Sequence, residues 1–134
     1  MKYLKGQIIT SIAFSRLNAP HAPIGADQMR LYTKKAAYIF QHLQDCCEEV
    51  LIEQVDGDFD DLLDSPILIA DVATTAGESR HATDREDSKQ VEWTFYRFAT
   101  IKGYVTVRWL GTSNGAYSTG VDVVALTASE SESI

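Results

Sequence analysis

The sequence predicts a mainly β (α+β) fold: antiparallel sheets of about eight strands, with one short helix near residues 58–64. Two observations carry this. Short runs rich in β-branched and aromatic residues recur along the chain, separated by turn-forming pairs such as Lys34-Lys35, Lys102-Gly103 and Asn114-Gly115. The stretch Val91–Leu126 also alternates so regularly that its two faces can be told apart residue by residue. The 134 residues suit one domain, taken as 1–126, followed by an acidic flexible tail at 127–134.

The elements follow in order. Gly6–Phe14 is a strand with Ile8, Ile12 and Phe14 along it. Ser15–Asp27 is a loop, because Asn18, Pro20, Pro23 and Gly25 break any regular pattern; His21 is a loop histidine without a chemical task. Gln28–Thr33 and Ala36–Leu43 form a hairpin in which Tyr38, Phe40 and His42 share a face. Val50–Val55 is the next strand. The run Asp56–Asp61 has the look of a calcium loop but fails it, with Asp61 where glycine is needed and Ile67 where a glutamate is needed. It reads instead as a helix start. Asp58 caps, Asp60 and Asp61 favour the positive end of the helix dipole, and Phe59, Leu62 and Leu63 face inward. Pro66 ends the helix. Pro66–Thr75 carries apolar residues on both faces and is expected to be a central strand. Residues 77–90 hold no large apolar side chain; with Arg80, His81, Arg85 and Lys89 they read as a solvated loop.

The last three strands are expected to form a meander. A two-residue Lys102-Gly103 loop pairs Ile101 with Tyr104, Phe98 with Val107 and Tyr96 with Trp109, giving an apolar core face. The opposite face then sets Arg97 directly against Arg108, with Thr106, Phe95 and Trp93 nearby. Like charges across a ladder are unfavourable, so something negative is expected beside them. A three-residue Ser113-Asn114-Gly115 loop brings Val121 and Val123 inward and sets Asp122 diagonal to Arg108. Either Asp122 neutralises that arginine or an incoming anion does.

Composition narrows the function. A formal charge of -7 argues against general DNA binding, which needs a broad basic surface, but leaves room for a small anion in a local basic pocket. No apolar run is long enough to span a bilayer, and residues 1–6 lack the apolar segment of a signal peptide, so a cytosolic protein is expected. Cys46 and Cys47 are neighbours, too close for an unstrained disulfide, and read as reduced thiols. With His42, Asp45 and Glu48 they make the densest polar cluster, but their spacing is wrong for zinc, and a buried polar turn at a strand junction is expected instead. No serine triad, phosphate-binding glycine loop or zinc hydrolase pattern is present in the sequence. No catalytic residue, cofactor or metal is therefore assigned.

Two blocks, HLQDCCEEVLIEQVDGDFDDLLDSPILIADV and WTFYRFATIKGYVTVRWLGTSNGAYSTGVDV, resemble a family of small phage and prophage proteins marked by a QDCCE motif. The chain is also similar to the Thoeris anti-defence sponge proteins of phages. The resemblance implies a homo-oligomer, a dimer or dimer-based hexamer, with pockets near subunit interfaces. Such a protein would work in the cytoplasm of the infected bacterial host. It would hold a cyclic ADP-ribose-type signal without cleaving it; the ligand class extends to cyclic oligonucleotides.

The residues suit that implication. Arg97 and Arg108 offer planar forks to phosphate, with Lys102 at the turn. Phe95, Trp93 or Tyr117 can stack an adenine, and Phe98 joins them if the register slips by one. Asn114 either reads a base edge or serves its turn, the turn role being favoured. Nanomolar binding needs on the order of −12 kcal/mol, more than two arginines and one stack supply, so a pocket shared between subunits is expected. The competing expectations are a β-sheet protein-interaction or structural module with no small ligand, and a hydrolase that degrades the signal.

Overall fold

The computed structural model describes residues 1–15, 23–43, 48–78, 90–113 and 119–127. The strands are β1 (Ile9–Ser15), β2 (Gln28–Thr33), β3 (Ala36–Gln41), β4 (Glu49–Gly57), β5 (Ile69–Glu78), β6 (Gln90–Thr100), β7 (Gly103–Ser113) and β8 (Asp122–Thr127). They make two four-stranded sheets, ordered β1-β2-β3-β8 and β4-β7-β6-β5, with every neighbouring pair antiparallel. The fold is mainly β, as the sequence predicts. His21, the Asp45-Cys46-Cys47 run, the charged segment at 79–89, the Asn114-Gly115 turn, Tyr117 and the tail at 128–134 lie outside the described residues.

The sheets pack face to face. Phe14, Met29, Leu31, Tyr38 and Phe40 come from the first sheet; Ile52, Tyr96, Phe98, Val105, Val107 and Trp109 come from the second, all in one buried cluster. The Phe40 ring meets Tyr96 edge-on at 4.9 Å and Phe98 at 6.0 Å, the favoured geometry for aromatic quadrupoles. A bulge between Ile52 and Gln54 adds Glu53 to β4 and shifts its alternation. Ile52 and Val55, three apart in sequence, consequently both face the core.

The expected helix is a 3-10 turn, Phe59–Leu62. As anticipated, the Asp58 carboxylate accepts a hydrogen bond from the Asp60 amide at 2.9 Å, Leu62 is buried, and Phe59 and Leu63 pack against the core. Phe59 meets Phe14 edge-on at 5.0 Å. A second 3-10 turn, Lys2–Leu4, buries Leu4 and had no expectation attached.

Three expectations about the strands need correction. The β6–β7 register pairs Thr100 with Gly103, Phe98 with Val105 and Tyr96 with Val107, two positions away from the expected pairing. A shift of two preserves the faces, so the core set is right, but Arg97 stands opposite Thr106 and Arg108 opposite Phe95. The arginines are diagonal neighbours. β5 is an edge strand, paired only with β6 among the described strands. Its two-sided apolar pattern does not mark burial on both faces, since Ile69 and Val72 both remain nearly half exposed. Finally, β8 leaves the meander and pairs with β3, Gln41 opposite Asp122 and Ala36 opposite Thr127. Val121 and Val123 do pack inward. An inward apolar pair fits either sheet, because both sheets face the same core, so the pattern alone does not choose between them.

Gly57 closes β4 with φ +111, and a Cβ there would lie 2.3 Å from the Tyr104 carbonyl oxygen. Gly6 also has positive φ, +84, but its Cβ would meet open space. Gly6→Ala should therefore cost only the backbone penalty, roughly 1–2 kcal/mol. Gly57→Ala should cost clearly more in urea unfolding, since β4 and β7 must also separate. Equal losses would contradict this account.

Candidate functional site

The outward faces of the second sheet form rows of side chains. One row runs Asp71 (β5), Arg97 (β6), Thr106 (β7), Asp56 (β4). The next runs Ala73, Phe95, Arg108, Gln54. Beside the first row, at the β6–β7 turn, lies a cleft of about 580 Å³ bordered by Ile69, Asp71, Arg97, Lys102, Tyr104 and Thr106. Phe98 borders it too, but its side chain is fully buried on the core face, so no base can stack on that ring.

The charges in the cleft are partnered. Arg97 donates from Nε to Asp71 Oδ1 and from Nη2 to Asp71 Oδ2, both at 3.0 Å, a bidentate fork across neighbouring strands. The hydrogen bonds hold the Asp71 carboxyl below the usual carboxylate range and push the guanidinium up. The pair stays open to solvent, with side-chain exposures of 63% and 46%. Lys102 sits on the turn and donates from Nζ to the Leu63 carbonyl at 2.6 Å. Thr100 fixes that turn: its hydroxyl donates to the Asp61 carbonyl and accepts from the Lys102 amide. Ion, aromatic ring and apolar rim thus share one opening, because Tyr104 is 60% exposed and Ile101, at the turn, 84% exposed.

Arg108 belongs to a different environment. It donates from Nη2 to Glu53, the residue that the bulge adds to β4, and its guanidinium lies over the Trp93 ring at 4.9 Å. Its Nε is buried and has no hydrogen-bond partner among the described residues. The expected neutralising role of Asp122 is not found, since Asp122 lies on β8 in the other sheet. Glu53 takes it instead. The bulge that presents Glu53 has no sequence signature, so that pairing was not legible.

The structure gathers Arg97, Lys102 and the backbone edge of Phe98 at one cleft, and sets Phe95 and Arg108 one row away. Asn114 and Tyr117 lie outside the described residues. Ser113, which precedes them, ends β7 at the opposite end from the Lys102 turn, ten rises or roughly 33 Å from Gly103. One small nucleotide cannot span that distance within a single chain. Tyr104 and Asp71 were missed as site residues. Tyr104 shares its strand face with Thr106 and Arg108, a signal that was available from alternation alone.

The far end of the sandwich holds a second polar cluster. His42 follows β3, Glu48 precedes β4, and Gly120 precedes β8. The His42 ring nitrogens lie 2.6 Å from the Gly120 carbonyl (Nδ1) and 2.7 Å from Glu48 Oε2 (Nε2). A carbonyl only accepts, so Nδ1 carries a proton; a charged ring donates at both positions. Glu48 is 2% exposed. Burial alone pulls the His42 pKa down. The hydrogen bonds to Glu48 and Gly120, with the charges of Glu48 and Asp122, outweigh it and raise the value above 6.5. His42 and Glu48 are the members of the expected polar cluster that lie among the described residues; both are buried, and their contacts tie the two sheet-to-sheet crossings together. Among the described residues no three His, Cys, Asp or Glu side chains gather closely enough to hold a metal ion.

Residues 2–123 match the family model described as Domain of unknown function (DUF7448), so the chain belongs to that family. No curated protein and no solved structure matches the chain.

A histidine whose folded pKa is raised stabilises fully below its unfolded value near 6.5, and that stabilisation is lost as pH climbs through the folded pKa. Urea midpoints should accordingly fall as pH rises above about 6.5, and His42→Gln should flatten that fall. An unchanged slope in the variant would show that His42 is neutral in the fold.

Proposed function

We propose that this member of the DUF7448 family is a non-enzymatic sponge: it binds a cyclic ADP-ribose-type signalling nucleotide and withholds it from a bacterial defence system during phage infection. The observation that carries the reading is the cleft at the β6–β7 turn, where Arg97, Lys102 and the exposed Tyr104 ring border one opening of about 580 Å³. Guanidinium and ammonium groups suit a diphosphate, and an exposed aromatic ring suits an adenine. The cleft takes the place of the facing-arginine site expected from the sequence. Arg108, held by Glu53 and stacked on Trp93, supports the sheet beside it.

The sponge acts in the cytoplasm of the infected host. It acts as a homo-oligomer, a dimer or dimer-based hexamer, in which a neighbouring subunit completes the site. Exposed Leu68, Ile69, Ile101 and Tyr104 around the cleft support that part of the proposal, because such an apolar rim gains from being covered. Among the described residues no helix is long and apolar enough to cross a membrane. The same rim favours a second reading, a protein-interaction module whose sheet face docks another protein without any nucleotide.

The test mixes purified protein with cyclic ADP-ribose and measures depletion of free ligand, then heat-denatures the protein and assays what is released. Depletion with intact recovery is the expected result. Arg97→Ala and Lys102→Ala should each weaken retention at least about tenfold, the scale of a lost charge-assisted bond. Retention unaffected by both substitutions would remove the cleft from consideration. Accumulating cleavage product would make the protein a hydrolase, and no depletion at all would favour the protein-docking reading.

A further inference from the structure

The carboxylate in the cleft is at odds with an anion site at first sight. Asp71 lies directly opposite Arg97 on the next strand and fills both prongs of its fork at 3.0 Å. A phosphate approaching Arg97 meets that carboxylate first. Three features make the pair a separable one. Both side chains are largely exposed, so neither loses much hydration, and an exposed pair contributes little to stability. β5 is held to β6 by a ladder from Ile69 to Glu78, so the pairing of the strands does not depend on one side-chain contact. Among the described residues Lys102 is the other cation bordering the cleft, and it is engaged by the Leu63 carbonyl and not by a carboxylate. Asp71 thus holds only one of the two cations.

From this we infer that Asp71 is a built-in competitor for the anion. It keeps the Arg97 fork extended across the sheet in the free protein and yields it when a phosphate arrives. The inference rests on the cleft reading above. Its physical basis is substitution of like for like, since a carboxylate and a phosphate oxygen pair offer the same bidentate geometry to guanidinium. The incoming group brings more charge and further contacts to Lys102 and Tyr104, which Asp71 does not make. Competition of this kind sets a threshold: weak monoanions fail to displace the carboxylate, while a diphosphate with a base succeeds.

The experiment measures binding of cyclic ADP-ribose and, separately, of inorganic pyrophosphate to the full-length protein and to Asp71→Asn, Asp71→Glu and Arg97→Ala. Asp71→Asn should bind both probes roughly two- to five-fold tighter, the scale of an exposed ion pair released. Asp71→Glu, which restores a competing carboxylate, should return toward the parent value, and Arg97→Ala should bind both probes at least about tenfold more weakly than the parent. A urea midpoint for Asp71→Asn close to the parent value rules out a folding effect. Binding by Asp71→Asn alone also supports the inference. Parent binding with equal affinity in Asp71→Asn overturns it while leaving the cleft reading intact. So does a variant that binds pyrophosphate tighter but the nucleotide more weakly, because the carboxylate would then be accepting from the ribose hydroxyls. Binding by neither the parent nor Asp71→Asn removes both the cleft reading and the inference.

Discussion

The outward placement of Arg97 depends on the packing of its two neighbours. Tyr96 and Phe98 are drawn into the core by the Phe40 ring, which meets both edge-on from the opposite sheet. Alternation along β6 then leaves Phe95 and Arg97 no choice but the outer face. A slip of one residue would bury a guanidinium and expose two aromatic rings, a loss no surface contact offsets. Core aromatic packing therefore decides the chemistry of the solvent face. The same logic holds on β7, where Val105, Val107 and Trp109 go in and Tyr104, Thr106 and Arg108 go out.

On that outer face the two arginines have different tasks. Arg108 is wedged between Glu53 and the Trp93 ring, partly buried, with one nitrogen lacking a partner among the described residues. Moving it would leave the half-buried Glu53 carboxylate without its cation and the Trp93 indole uncovered, so it behaves as part of the sheet. Arg97 is paired in the open, over a cleft, on the row next to an edge strand. Solvation makes its partner exchangeable. The far end of the sandwich follows a third pattern, with His42 and Glu48 buried together and linked to the Gly120 carbonyl where the chain crosses between sheets. That junction links the two segments by which the chain passes from one sheet to the other.

What was legible in the sequence follows from which forces are local. Strand alternation is local, so the buried set Tyr96, Phe98, Val105, Val107 and Trp109 could be read directly. The Asp58 cap was legible for the same reason. Register was not, because a two-residue turn at Ile101-Lys102 and one at Lys102-Gly103 both keep every side chain on its proper face; only the choice of turn residues differs. The Thr100 hydroxyl clamped to Asp61 decides that choice, and it is a contact between segments far apart in sequence. The sheet to which β8 belongs was hidden because the inner faces of both sheets share one core. Glu53 as the partner of Arg108 was hidden by a bulge, and Asp71 as the partner of Arg97 by the expectation that β5 would be central.

In the proposed sponge the outer-face cleft at the β6–β7 turn, and not the opposite end of the sandwich, receives the nucleotide. Titrating isotopically labelled protein with cyclic ADP-ribose and following the amide and Arg Nε–H resonances tests it most directly. Shifts are expected at the Arg97 Nε–H and at the backbone amides of Asp71 and of residues 99–104. Shifts confined to Ser15, Gln41, His42 and Ser113, or none at all, would contradict it.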